Sequence, residues 1–121
     1  MIFVLENSVI LISKYIVPRG YLGLTVFPFM FLKHKGLKGD IVLINHEKIH
    51  LRQQIEMLVI PFFVIYGIEF LVRLFQYKNW KIAYKNISFE REAYSNESNL
   101  DYLKSRPAWN FLPYITSSNK I

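Results

Sequence analysis

Ile44 to Gln54 reads INHEKIHLRQQ, with His46 and His50 four positions apart and Glu47 directly after the first histidine. On a helix, residues i and i+4 lie one above the other on the same face. Two imidazoles one turn apart can then reach a single ion. Glu47 is offset to the side, where its carboxylate can reach a water without displacing it. Zinc hydrolases use HExxH for this reason: two neutral nitrogen ligands plus a carboxylate base. The bland alternative is a pair of packed or surface histidines on an ordinary helix. At this composition a chance match arises on the order of once in a few hundred such chains, so the motif needs support from elsewhere.

A catalytic zinc keeps three protein ligands. The chain has no cysteine, so the third must be a histidine or a carboxylate. Glu56 falls at the spacing of the third histidine in HExxHxxGxxH, but that arrangement needs a glycine to turn the chain back, and Gln53 stands there. If LRQQIE stays helical, Glu56 lies roughly 9 Å beyond His50 along the axis. His34, flanked by lysines, reads as a surface residue. The remaining source is SFEREAYSNE. On a helix, Glu92 points away from Glu90, whereas Ala93, Tyr94 and Glu97 share the Glu90 face. A small alanine three residues after a glutamate lets two helices approach closely. Glu90 is the preferred third ligand and Glu97, about two turns on, the reserve. The competing reading is a solvated acidic helix with Arg91 in local ion pairs.

HEKIH followed by FEREAY resembles the gluzincin pattern, HExxH plus a glutamate on a later helix. It is most similar to the membrane-linked gluzincin peptidases of the CaaX-prenyl and heat-shock type, whose third ligand sits in an ExxAD sequence. Glu90-Arg91-Glu92-Ala93 matches ExxA, and Tyr94 stands where that family has aspartate. The two motifs cover about an eighth of the chain, which lacks the family's several membrane spans. The whole chain also resembles small bacterial HExxH proteins, a likeness that carries no activity with it. The resemblance implies Zn2+ held by His46, His50 and Glu90, a water activated by Glu47, and a peptide or protein substrate. It also implies an edge strand beside the active-site helix that holds substrate in extended form, a role Leu24 to Leu32 could fill by β-augmentation. No stabiliser of the developing oxyanion can be assigned; Tyr84, Tyr94 and Arg91 are the nearby candidates.

With 121 residues the chain is sized for one domain and one core. The expected fold is α+β and mostly helical, a minimal zincin-like domain. An apolar region with a β element occupies 1–39, the HExxH helix 40–56, an apolar helix 57–76, the glutamate-bearing helix 87–105 and an irregular tail 106–121, anchored by Trp109 and Phe111. Leu24 to Leu32 (LTVFPFMFL) reads as one strand, demoted by Pro28 to an edge or a bulge. Asp40 is a helix N-cap, and QYKNWKIAYKN reads as a polar-aromatic connector.

Apolar residues make up 52% and aromatics 17% of the chain. Both exceed the soluble average, which argues against disorder and for contact with a membrane surface. A net charge of +6 suits an anionic partner. The basic residues are spread along the chain, however, with neither an RNP1-type strand nor zinc-finger spacing, so a solvated basic surface is favoured over nucleic-acid binding. The opening MIFVLENSVILISKYIV is a poor signal peptide: Glu6 interrupts it, no basic residue precedes it and no small-x-small site follows. The expected location is cytoplasmic, or peripheral on the cytoplasmic membrane.

Met57 to Phe75 is nearly long enough to span a bilayer, whose core takes about 20 residues. Glu69 and Arg73, spaced to pair with each other, count against a span. A crossing here would also separate the histidines from Glu90, so a real site makes this segment the buried core helix of a small domain or a monotopic anchor in the interface. A non-catalytic membrane-associated protein with a structural or relic HExxH is therefore the alternative to a zinc peptidase, and it predicts a true span.

Overall fold

The computed structural model describes residues 9–116; the readings made for the first eight and last five residues fall outside them. The fold is mostly helical α+β. Strands β1 (Val9–Ile12), β2 (Gly23–Val26) and β3 (Phe29–Leu32) form one sheet in the order β1-β3-β2. Strand β1 runs parallel to β3, and β2 antiparallel to it. The helices are α1 (Ile41–Glu56), α2 (Ile60–Tyr77), α3 (Trp80–Lys85), α4 (Ser88–Asn96) and the single turn α5 (Tyr102–Ser105).

The stretch read as one strand is a hairpin. Phe27 and Pro28 form its two-residue turn, joined by a cis peptide, and the register pairs Val26 with Phe29 and Gly23 with Leu32. Pro28 therefore lies outside both strands, where its missing N–H costs no ladder bond. The polar-aromatic connector contains helix α3, capped by Asn79, whose side chain accepts from the Ile82 N–H at 3.0 Å. The segment expected as one helix over 87–105 is two, α4 and α5, separated by a turn at 97–101.

Asp40 begins α1 by accepting from the Leu43 N–H at 3.0 Å, which satisfies one of the donors a helix start leaves open. The chain then reverses over Met57–Val59, with Leu58 and Val59 at positive φ. Pro61 lies in the first turn of α2, where it needs no N–H partner. It starts that helix.

Helix α1 is the centre of the domain, with β2 on one side and α4 on the other. Ala93 is fully buried beside Ile49 and Tyr102, which is the close approach of α1 and α4 that a small residue permits. Met57, Phe62, Ile87, Phe89 and Phe111 form the aromatic core between α2 and α4. Phe111 anchors the tail there, whereas Trp109 stays half exposed.

Glu69 and Arg73 do not pair. Glu69 turns inward and accepts from the Ser88 N–H at 2.8 Å and the Ser88 hydroxyl at 2.5 Å, so it caps α4 from a neighbouring helix. A carboxylate there also meets the positive end of the helix dipole. Arg73 donates to the Ile115 carbonyl at 2.7 Å.

Candidate metal centre

His46 and His50 leave α1 on one face, and Glu90 enters from the first turn of α4; all three are buried. Glu90 Oε1 lies 3.2 Å from His46 Nε2 and 3.1 Å from His50 Nε2. The two Nε2 atoms are 3.1 Å apart. A ring nitrogen either donates or accepts in its plane, never both. With Glu90 ionised, both nitrogens must donate to it, and the contact between them then sets two N–H groups face to face. No distribution of protons around an ionised Glu90 satisfies all three contacts, but one shared cation does. Ligand atoms bound about 2.0–2.1 Å from a tetrahedral zinc stand about 3.3–3.4 Å apart, close to the separations here. The residues therefore fit a metal ion.

The electrostatics agree. Burial pulls the His46 imidazole down, but Glu90 and Glu97 outweigh it and push it up to about 10. Burial likewise opposes charge on His50, and Glu90 raises it. Glu90 is held far below the ordinary carboxylate range, because the two histidines overcome its burial. Without a metal, the carboxylate favours the protonated form of both histidines, and a divalent ion would compete with those protons.

Each ligand is oriented from behind. His46 Nδ1 lies 2.8 Å from Glu97 Oε1, and His50 Nδ1 lies 2.8 Å from Gln53 Oε1. The Gln53 amide direction is set by its other end, which donates to the Phe89 carbonyl at 3.1 Å and Glu92 Oε1 at 2.9 Å. Its oxygen must therefore accept from His50 Nδ1–H, which leaves His50 Nε2 facing the cluster. Tyr66 donates to Glu90 Oε2 at 2.7 Å, leaving Oε1 for the histidines. Such outer partners fix tautomer and orientation in metal sites. Tyr94 packs its ring edgewise on His46, with centroids 4.6 Å apart.

Beyond Gln53 the chain of contacts continues to the C-terminal region. Glu92 is fully buried and accepts from Tyr102 at 2.6 Å and from the Arg106 guanidinium. Arg106 also donates to Glu56 Oε2 at 2.7 Å.

Glu47 points to the other side of the cluster, toward the sheet. Its Oε1 accepts from the Thr25 hydroxyl at 2.6 Å, and a Cβ on Gly23 would stand 2.9 Å from its Oε2. A side chain at position 23 would force this carboxylate to move. Glu47, His50 and Glu90 share the wall of a cavity of about 310 Å³ with Gly23, Thr25 and Tyr84, floored by apolar residues of α2. The Lys33 N–H donates to the Leu22 carbonyl at 2.9 Å. Bonded and non-bonded pairs alternate along an antiparallel ladder, so Gly23 and Thr25 turn their own N–H and C=O groups outward, along the cavity edge. Gln54 already uses this edge, donating to the Thr25 carbonyl at 2.8 Å and accepting from the Phe27 N–H at 2.7 Å.

The structure thus brings together His46, His50 and Glu90, with Glu47 beside them. Glu97 reaches the far nitrogen of His46 and stays outside the three-ligand group. Arg91 is turned away, donating to Asn86 Oδ1 at 2.7 Å and the Tyr114 carbonyl at 3.1 Å. His34 is exposed. Tyr84 lines the cavity with its hydroxyl 3.3 Å from that of Tyr94. Burial and the nearby Glu90 push the Tyr84 phenol far up, so it is a neutral donor. Sequence reasoning missed Tyr66 and the positioning part of Gln53. The one available signal was an unexplained tyrosine within an apolar helix. No protein family, curated protein or solved structure matches the chain.

Proposed function

We propose that the protein is a zinc-dependent metallopeptidase of the gluzincin kind, with His46, His50 and Glu90 as ligands and Glu47 as general base. The observation that carries this reading is the convergence of three candidate ligand atoms within 3.1–3.2 Å, two of them, on His50 and Glu90, belonging to residues that line the same cavity as Glu47. When bound there, zinc supplies Lewis-acid polarisation of a carbonyl and makes water more acidic. Glu47 takes the proton from the attacking water and delivers it to the leaving amine. The outward groups of Gly23 and the Thr25 N–H pair with an extended substrate backbone, the Thr25 carbonyl being held by Gln54. Pro28 does not obstruct that pairing, because it sits in the turn beyond the strand. Tyr84 donates to the oxygen on which negative charge develops. Where the resembled family has aspartate this chain has Tyr94, and Glu97 supplies the carboxylate behind His46 instead.

Protein purified without chelator should carry close to one zinc per chain by mass spectrometry of the metal, and His46→Ala/His50→Ala should carry none. Glu47→Gln should keep the zinc and lower cleavage of labelled casein by about 10²–10⁴-fold. Zinc far below one per chain, or zinc indifferent to the double substitution, sinks the proposal.

A second reading, a non-catalytic protein whose metal is structural, draws on the near-complete burial of all three ligands. It predicts that chelation unfolds the chain and that Glu47→Gln changes nothing measurable.

A further inference from the structure

Helix α2 is amphipathic the wrong way round for water. Its charged residues, Glu69 and Arg73, face inward to Ser88 and Ile115. At about 100° per residue, the opposite side carries Ile60, Val64, Ile68, Leu71 and Phe75, exposed by 75%, 54%, 57%, 65% and 82%. Among the described residues, this is the one helix long and apolar enough to cross a bilayer, and 6% of it is buried. A crossing is excluded by the cluster itself, since His46 and His50 precede α2, Glu90 follows it, and the three touch. The inner face also lies along the domain, with the Phe62 ring 4.4 Å from that of Phe89.

We infer that α2 is a monotopic docking face that lies in the surface of an anionic bilayer. Charge selects this occupant. Among the described acids only Asp40 and Asp101 are exposed, because the others turn to His46 and His50, Thr25, Arg106 and Ser88. Lys14, Arg19, Lys35, Lys38, Lys78 and Lys81 are all exposed. The surface is therefore more cationic than a net charge of +6 suggests, and a second copy would meet it with repulsion. Lys78 ends α2 at its C-cap, and Trp80 packs on Phe70 at 4.7 Å while remaining 61% exposed. An apolar helix face bordered by tryptophan and lysine matches the depth profile of a membrane interface. Phe63 and Trp80 belong both to this border and to the cavity lining, so docking would set the cavity mouth at the lipid surface.

The test is co-sedimentation of the full chain with vesicles, and it needs no metal readout. The protein should pellet with an equal mixture of phosphatidylcholine and phosphatidylglycerol and bind phosphatidylcholine alone more weakly. Ile68→Asp/Leu71→Asp, both at exposed positions, should weaken pelleting by about tenfold or more with an unchanged circular dichroism spectrum. Binding that survives this double substitution, or no binding to either vesicle, overturns the inference. So does a vesicle-free dimer, seen by analytical ultracentrifugation, that the same substitutions dissociate; α2 would then be a contact between copies.

Discussion

Helices α1 and α2 follow one another with three residues between them, and their chemistry is exchanged. Helix α1 buries Asn45, His46, Glu47, His50, Gln53 and Gln54, while α2, far more apolar, buries Phe62 alone. Burying a polar group costs free energy unless it is hydrogen-bonded. In α1 each of those six side chains has a partner: a strand edge, a second helix, the C-terminal region or the cluster. Helix α2 spends its inner face on one aromatic core and, among the described residues, leaves its outer face without a protein partner. Polar burial in α1 is thus matched by a specific network, and apolar exposure in α2 points to a partner of another kind. A helix buried for its contacts should be sensitive to single changes; a helix exposed for a surface should tolerate them in water.

The sharpest way to break the contrast is at the far end of the α1 network. Arg106→Met leaves Glu92 buried without its guanidinium, which should cost about 3–5 kcal/mol in denaturant unfolding. A loss below about 1 kcal/mol would mean that Glu92 is solvated, as an exposed pair is, and that the network does not lock α4 against α1.

Glu97→Gln tests the orienting contact on His46. Outer partners of this kind typically contribute 10–100-fold to metal affinity, so competition with a chelator should show a loss in that range. An unchanged affinity would make Glu97 a bystander.

The pH dependence of the metal-free protein sharpens the comparison further, because His46 and Glu90, whose shifts set its pH window, lie in α1 and α4. His46 stands at about 10 against an ordinary 6.5. Its contribution is therefore complete below about pH 6.5 and lost as pH rises through 10. Glu90 is depressed from 4.5, so its contribution is present above about pH 4.5 and lost as pH falls through its lowered value. Thermal unfolding should find the metal-free protein most stable between these limits and weaker by pH 9. The zinc-loaded protein should hold its stability over that alkaline range, since the ion replaces the protons. Parallel curves for the two forms would count against the shared site.

The smallest effect belongs to α2. Leu71→Ser should change stability in water by no more than about 0.5 kcal/mol, although it removes a large apolar side chain from a helix. A loss near the 2–5 kcal/mol of a core truncation would show that this face is covered by protein in solution.

The three candidate ligands were readable because each sits in a short pattern with a period. HEKIH places two histidines one turn apart, and FEREAY puts Glu90 and Ala93 on one helix face with Glu92 opposite. The groups that orient them carry no such pattern. Tyr66 meets Glu90 across 24 positions, and a lone tyrosine within the apolar run of α2 does not say which group it reaches. Gln53 was legible only as the absence of a glycine; that its amide bridges His50 and Glu92 depends on where α4 docks. Glu56, set aside as a ligand by its place on the helix axis, pairs with Arg106 50 residues later. The hairpin was hidden because Phe27-Pro28 lacks the glycine or asparagine that usually signals a two-residue turn.

By itself, then, the sequence determined which groups can act together: period and spacing put two imidazoles on one helix face and a carboxylate on another. Whether they meet was decided by tertiary structure alone. Helix α2 carries enough apolar length to have crossed a membrane and separated them. Its two charged residues found partners inside the fold instead, Glu69 at the start of α4 and Arg73 on the tail. Those contacts hold α2 along the domain and leave α4 free to close on α1. Composition is blind to that choice, because the same apolar face serves a span or a surface, and only the contacts of Glu69 with Ser88 and of Arg73 with Ile115 separate the two.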